Sequence, residues 1–102
     1  MRRAEALRII REHEAELRAM GVESVELFGS VARDEAGPDS DVDVLVRFDE
    51  RERPKGLAFF RRYVDVEELF SVMLDERVEL ATHPLTKSRF EKEIERDRVT
   101  AY

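Results

Sequence analysis

The 102-residue chain contains no cysteine, and this absence removes several kinds of protein chemistry at once. Without thiols the chain can form no disulfide, no thiolate zinc site and no cysteine nucleophile. It also has no apolar run long enough to span a membrane. The first residues, Met-Arg-Arg-Ala-Glu, are not followed by the apolar stretch of a signal peptide. We therefore expect a cytoplasmic protein with no membrane partner.

The sequence also has no excess of positively charged residues. The sequence has 18 Lys and Arg against 24 Asp and Glu, which gives a formal net charge of −6. Affinity for nucleic acid comes mainly from basic patches, so this balance argues against direct nucleic-acid binding. Because a bound metal reverses the local charge, the composition remains compatible with a nucleotide site.

What the sequence has in abundance is patterned apolar and charged residues, at 42% and 41% of the chain. The length predicts a single domain over residues 1–102. The predicted helices cover 3–20, 57–74 and 88–98, the predicted strands cover 25–28, 42–48 and 78–81, and 32–36 is a short helix or a turn. Strands that alternate with helices predict an α/β fold with one sheet packed by helices.

The helix at 57–74 carries more apolar residues than one buried stripe needs. Phe59, Tyr63, Val66, Phe70 and Met73 recur at helical spacing and form the predicted core stripe. The apolar residues off that stripe are Phe60, Val64 and Leu69. We expect these three side chains to form an exposed patch for a partner. In the last predicted helix, Phe90 and Ile94 are expected to face the core.

Two polar motifs stand at the ends of predicted strands. Gly29-Ser30 follows the first strand, and Asp41-Val42-Asp43 opens the second. Glycine lets the backbone approach a ligand closely, and Ser30 offers a hydroxyl and an amide to a phosphate. Because side chains alternate along a strand, Asp41 and Asp43 point the same way and can share divalent cations. Each motif alone is weak evidence, but together they favour a nucleotide site.

A third acid stands in the strand at 78–81. Glu79 lies between Val78 and Leu80, so its side chain alternates away from the apolar pair. It is a candidate metal ligand or a base for an incoming hydroxyl, and such a base contributes roughly 10²–10⁴-fold to a rate. The alternative is an exposed residue on a solvated face. Arg33 likewise has two interpretations: it reaches a phosphate, or it pairs with a neighbouring acid.

The succession of Gly29-Ser30-Val31-Ala32-Arg33, Asp41-Val42-Asp43 and Val78-Glu79-Leu80 resembles the minimal nucleotidyltransferase family of the polymerase-β-like superfamily. The resemblance covers nearly the whole chain. It implies a small mixed sheet flanked by helices. It also implies that the catalytic metal ligands are Asp41, Asp43 and Glu79, and that the nucleotide-binding residues are Gly29, Ser30 and Arg33.

The same resemblance implies a function. Small members of this family commonly act as antitoxins that are paired with a HEPN-domain ribonuclease toxin. Some transfer AMP from ATP to a tyrosine of that toxin and so silence it. The resemblance therefore implies Mg²⁺ as cofactor, ATP as substrate and a HEPN toxin as partner, with a tyrosine hydroxyl as acceptor. It leaves a homo- or hetero-oligomer open.

Two residues depart from the family pattern. Asp34 stands where the family usually has glycine, and Glu79 stands where it usually has aspartate. The extra methylene of Glu79 moves its carboxylate, and a displacement of about 1 Å can cost about 10²-fold in rate. An alternative is therefore a weak or inactive nucleotidyltransferase fold that neutralises a toxin by stable binding. A small-molecule acceptor such as an aminoglycoside is a third possibility, although such enzymes usually carry an extra substrate domain.

Overall fold

The computed structural model describes residues 1–51, 54–82 and 91–102. Helices and strands follow one another along these residues in the α/β order that the sequence predicts. The elements are α1 (Arg3–Glu12), α2 (Glu14–Ala19), β1 (Val22–Phe28), α3 (Gly29–Ala32), β2 (Val42–Phe48), α4 (Leu57–Leu74), β3 (Val78–Thr82), α5 (Glu91–Asp97) and β4 (Val99–Thr100). None of these helices is both long enough and apolar enough to cross a bilayer.

The four strands form one mixed sheet in the order β3-β2-β1-β4. β1 pairs with both β2 and β4 in the antiparallel sense. β2 pairs with β3 in the parallel sense, and α4 makes the crossover that a parallel pair requires. The predicted fold class, a small mixed sheet flanked by helices, is confirmed.

The two faces of the sheet pack against different helices. Val42, Val44 and Val46 of β2 belong to the main core cluster, together with buried residues of α1, α2 and α4. The opposite face carries a smaller cluster of Phe28, Leu45 and Ile94, and Ile94 lies on α5. Because alternate residues of a strand face opposite sides, β2 serves both clusters. The predicted bounds of β2 and α4 are confirmed.

The single helix predicted over residues 3–20 is wrong, because the chain breaks at His13 between α1 and α2. The His13 N–H donates to the Ile10 carbonyl at 3.0 Å, three residues back instead of four. His13 Nδ1 also lies 2.8 Å from the Ile9 carbonyl oxygen. Ile10 and Leu17 are both fully buried. The apolar stripe therefore continues across the break, so hydrophobic periodicity alone gave no sign of it.

Other bounds also differ from the predicted ones. β1 begins at Val22 instead of residue 25, and the short helix α3 covers Gly29–Ala32 instead of 32–36. The last helix ends at Asp97, and β4, which was not predicted, follows it. β4 has only two residues and owes its strand conformation to pairing with β1, so no local pattern marks it. The predictions that concern Ser88, Phe90 and His83 lie outside the described residues.

The predicted exposed patch on α4 is correct for two residues and wrong for the third. Phe60 and Val64 are exposed, as are Leu57 and Val72 on the same helix. Leu69 is instead half-buried and packs against the main core cluster. It lies at the border of the helix face that carries buried Val66 and Phe70, and this position explains the difference.

Candidate nucleotide site

The parallel pairing of β2 and β3 brings two of the predicted site acids side by side. Asp43 and Glu79 are direct register partners, and both are half-buried. Neighbouring strands lie about 4.8 Å apart, and register partners present their side chains on the same face of the sheet. Asp41 precedes Asp43 by two residues, just before the start of β2. The fold thus places the three acids along one margin of the sheet, but in the part of the chain that the structure describes their side chains do not form a three-ligand metal cluster.

Gly29 fits tightly against one of these acids. It is buried, it has a φ of +70°, and a Cβ built on it would lie only 2.1 Å from Asp43 Oδ2. Any larger residue would therefore strain the backbone and displace the carboxylate. The sequence predicted that this glycine admits a ligand to the backbone. In the structure its first role is to make room for Asp43. Ser30 follows Gly29 in α3, so it lies next to the acids.

Asp41 has an oxygen that no described residue satisfies fully. Its Oδ1 atom is shielded from solvent and accepts no hydrogen bond within the described parts of the chain. Arg77 Nε lies 3.2 Å from this oxygen, and the Arg77 side chain is 77% exposed. An exposed arginine can move away at little cost, since such pairs contribute only about 0–1 kcal/mol. A buried oxygen without a hydrogen bond is suited to accept a cation.

Of the two interpretations of Arg33, the structure favours pairing with acids over contact with a phosphate. Its Nη1 atom donates to Asp97 Oδ2 at 2.6 Å, and its Nε atom donates to Glu35 Oε2 at 3.0 Å. These bonds, first to Glu35 and then to Asp97, raise the pKa of Arg33. Arg33 therefore connects the end of α3 to the end of α5.

Asp97 was missed by the sequence reasoning. Among the residues that the structure describes, it is the one charged residue that is buried. Hydrogen bonds from Arg96 hold its pKa below the usual range, the Arg33 bond adds to this effect, and burial opposes it. Asp97 lies in a charge-dense helix, 64 positions from Arg33, so nothing local distinguishes it. Only the fold brings the pair together.

Tyr63 joins α4 to the strand that carries Glu79. Its hydroxyl donates to the backbone carbonyl of Leu80, the residue that follows Glu79 in β3. Burial raises the pKa of Tyr63, and the negative charges of Glu67 and Glu79 add to the increase. The sequence assigned Tyr63 to the core stripe of α4, and its hydrogen bond gives it a second role in fixing β3.

Asp34, the first departure from the family pattern, adopts the conformation that glycine would supply. Its φ is +61°, in the left-handed region that few residues other than glycine visit. Aspartate is one of those few, because its short polar side chain bonds locally. Asp34 Oδ1 accepts a hydrogen bond of 2.8 Å from the Arg3 backbone N–H. The departure from the pattern thus preserves the backbone path after α3.

The acids fit Mg²⁺ together with a phosphate ligand better than they fit a metal held by protein alone. Within residues 1–51, 54–82 and 91–102, no three His, Cys, Asp or Glu side chains form a ready cluster for a metal ion. Mg²⁺ usually binds through one or two carboxylates and completes its shell with substrate phosphates and water. Asp41 and Asp43 match that donor set, and Asp41 Oδ1, which accepts no hydrogen bond, has only the exposed Arg77 guanidinium beside it among the described residues.

Comparison with known proteins defines the class to which this chain belongs. A family model described as "Nucleotidyltransferase domain" matches residues 9–100. The chain belongs to this nucleotidyltransferase family, and the prediction of a nucleotidyltransferase enzyme is confirmed. The chain is also similar to the protein adenylyltransferase MntA of Thermococcus cleftensis. The two are 36% identical over 92 residues, which cover 89% of this chain and 87% of the relative.

Solved structures agree with the fold. A candidate minimal nucleotidyltransferase superposes with a TM-score of 0.71 at 30% identity, covering 97% of this chain and 95% of that chain. A tri-AMPylated HEPN toxin from Shewanella oneidensis has been solved in complex with its MNT antitoxin. The match to that structure has a TM-score of 0.58 at 14% identity and covers 94% of this chain and 71% of that chain. At this low identity, the second match shows the fold alone.

Proposed function

We propose that this protein is a Mg²⁺-dependent nucleotidyltransferase antitoxin that transfers AMP from ATP to a tyrosine hydroxyl of a cognate HEPN toxin. The observation that carries the proposal is the register pairing of Asp43 with Glu79, beside Gly29 and next to Asp41. The similarity to a protein adenylyltransferase supports transfer of AMP to a protein acceptor.

The residues of the site divide the reaction between them. Glu79 takes the proton from the acceptor hydroxyl as the acceptor oxygen bonds to the α-phosphorus, and the bond to pyrophosphate breaks. Ser30 offers its hydroxyl and amide to the phosphates. Mg²⁺ held by Asp41 and Asp43 would neutralise the charge of the triphosphate. Arg33 contributes to nucleotide binding by holding α3 in place through its bond to Asp97.

The proposal is tested by incubating the protein with α-labelled ATP, Mg²⁺ and a cognate HEPN toxin. We expect the toxin to carry label after reaction with the wild type, and the doubly substituted Asp41→Asn/Asp43→Asn variant to transfer none. Asp39→Asn is the matched control, since Asp39 is exposed and lies two residues before Asp41. Label that survives the double substitution would overturn the assigned roles.

A second candidate function is neutralisation by stable binding, and the longer side chain of Glu79 favours it. In that case the toxin remains inhibited by Asp41→Asn/Asp43→Asn, and the two proteins purify as a stable complex. The variant Glu79→Asp separates the candidates further. If the protein acts as an adenylyltransferase, Glu79→Asp changes the rate of label transfer, because it moves the carboxylate by about one methylene. If binding alone neutralises the toxin, the substitution leaves inhibition unchanged.

A further inference from the structure

The exposed large hydrophobic residues of the described chain all lie on one helix. Leu57 is 88% exposed, Phe60 63%, Val64 40% and Val72 72%, and all four belong to α4. Single exposed apolar residues are ordinary, but four on one helix face form a patch of the kind that marks an interaction surface. The buried side of the same helix faces the core through Val66, Phe70 and Leu74 and is already covered.

The exposed face of α4 carries an outer stripe of residues. Apolar and charged positions follow one another in the same order from either end of this stripe. Its residues are Leu57, Arg61, Val64, Glu68 and Val72, which recur three or four positions apart and so share one face. An apolar residue stands at each end and in the middle, with a cation on one side and an anion on the other. Arg61 and Glu68 are exposed, and neither forms an ion pair with any residue in the described ranges.

We propose that a second copy of this chain packs on this stripe, with the two α4 helices antiparallel about a twofold axis between Val64 and Asp65. Leu57 then lies opposite Val72 of the partner subunit, and Arg61 lies opposite Glu68 of the partner subunit. The twofold axis repeats both contacts, as in an isologous dimer. At its two apolar ends and its two charged positions the stripe is therefore complementary to itself.

Charge also selects the direction of the pairing. With the helices parallel, Arg61 would face Arg61 of the partner subunit, and Glu68 would face Glu68 of the partner subunit. Like charges that face each other across an interface oppose association. α4 is 18 residues long, or about 27 Å, so one helix pair is small beside a standard interface. We therefore expect a weak dimer, with a dissociation constant in the micromolar range, about 1–100 μM.

The proposed dimer leaves the candidate nucleotide site open. The buried side of α4 packs with Val42, Val44 and Val46, on the face of β2 opposite to Asp43. Dimer formation and nucleotide chemistry therefore use different sides of the molecule. The inference does not rest on the proposed function, and it can fail while that function holds.

The test is sedimentation equilibrium of the purified chain over about 1–500 μM, which spans the expected affinity. We expect the wild type to pass from monomer to dimer with concentration. Arg61→Glu and Glu68→Arg should each raise the dissociation constant at least about tenfold, because each places like charges opposite one another twice. Arg47→Glu, at an exposed position of β2, is the matched charge-reversal control and should dimerise as the wild type does.

A mixture of the two single variants distinguishes this geometry from misfolding. Arg61→Glu protein and Glu68→Arg protein, each monomeric alone, should form a mixed dimer, because the two stripes then meet with opposite charges at both contacts. The double variant Arg61→Glu/Glu68→Arg should dimerise by itself for the same reason. A wild type that is monomeric at every concentration would overturn the proposal, as would single variants that fail to pair when mixed. Loss of HEPN toxin binding in the single variants, with a monomeric wild type, would assign the stripe to the toxin instead.

Discussion

The two faces of the sheet differ in how completely helices cover them. On one face, α1, α2 and α4 leave Leu27 and Val44 with no exposed surface. On the other face, α5 covers Leu45 through Ile94, whereas Asp43 and Glu79 are only half-buried. The first face therefore holds most of the apolar burial, and the second keeps carboxylates within reach of solvent and ligands.

A small domain can in this way keep the residues that stabilise it apart from the residues of its candidate site. β2 places Val44 in the main core and Asp43, its neighbour in sequence, in the candidate site. Because side chains alternate along a strand, a slip of one residue in register would exchange the two faces. The apolar alternation that stabilises the core thus also fixes the position of the acids.

The largest expected effect comes from a matched pair of leucine truncations, one on each face. Leu27 and Leu45 are both buried, but Leu27 belongs to the main core cluster and Leu45 to the smaller one. Leu27→Ala should lower the free energy of unfolding by about 3–5 kcal/mol, and Leu45→Ala by about 2–3 kcal/mol, since the smaller cluster can relax more easily. Urea denaturation monitored by circular dichroism measures both values. An equal or larger loss for Leu45→Ala would contradict the comparison.

Gly29→Ala should have a smaller effect on stability but a large effect on chemistry. The positive φ at this position costs roughly 1–2 kcal/mol for a residue with a Cβ. Because that Cβ also displaces the Asp43 carboxylate, we expect AMP transfer to fall at least about 10²-fold. Label transfer to the toxin and urea denaturation measure the two effects.

Gly56→Ala is the control for that substitution. Gly56 also has a positive φ, of 64°, but a Cβ there would meet nothing within 4 Å. The Gly56→Ala variant should therefore lose stability because of its backbone conformation, but it should keep its activity. If both alanine variants lost activity equally, the contact between Gly29 and Asp43 would not be the cause.

The smallest expected effect is on the pH dependence of stability. Arg96 and Arg33 lower the pKa of Asp97 in the folded state, so the unfolded chain binds that proton more readily. The contribution of Asp97 is therefore complete above the unfolded pKa, about 3.9, and is lost as the pH falls below it toward the folded pKa. The Asp97→Asn variant should be roughly 1 kcal/mol less stable at pH 7, since both arginines are partly exposed.

The measurement for this prediction is the urea midpoint of both proteins between pH 7 and pH 2.5. The difference in urea midpoint between the wild type and Asp97→Asn should become smaller in the acidic part of that range. Parallel curves across the whole range would show that Asp97 is not held in its charged form by the two arginines.

Local patterns in the sequence were sufficient to predict the strands and helices whose own residues carry a clear periodicity. Valine at alternate positions marked β2, and a long apolar stripe marked α4. α4 also stops where the sequence suggests, because Asp75 takes the left-handed conformation that caps a helix. The site acids were found for a related reason, since a carboxylate among strand valines is costly without a partner.

The remaining features could not be predicted because they depend on contacts between distant residues. β4 exists only through its pairing with Glu26 and Leu27. The bond between Arg33 and Asp97 needs α3 and α5 in place before it can form. The contact of Gly29 with Asp43 follows from the antiparallel pairing of β1 and β2, which no local pattern specifies.

The parallel pairing of β2 with β3 has a consequence for how the protein folds. Asp43 and Glu79 are neighbours in the sheet but 36 positions apart along the chain. Contacts between such distant residues close long loops and tend to form late. The β1–β2 pair and α4 can therefore assemble before the two carboxylates approach each other. On this basis we expect the electrostatic cost of bringing the two candidate-site carboxylates together to arise late in folding, when most of the apolar surface is already buried.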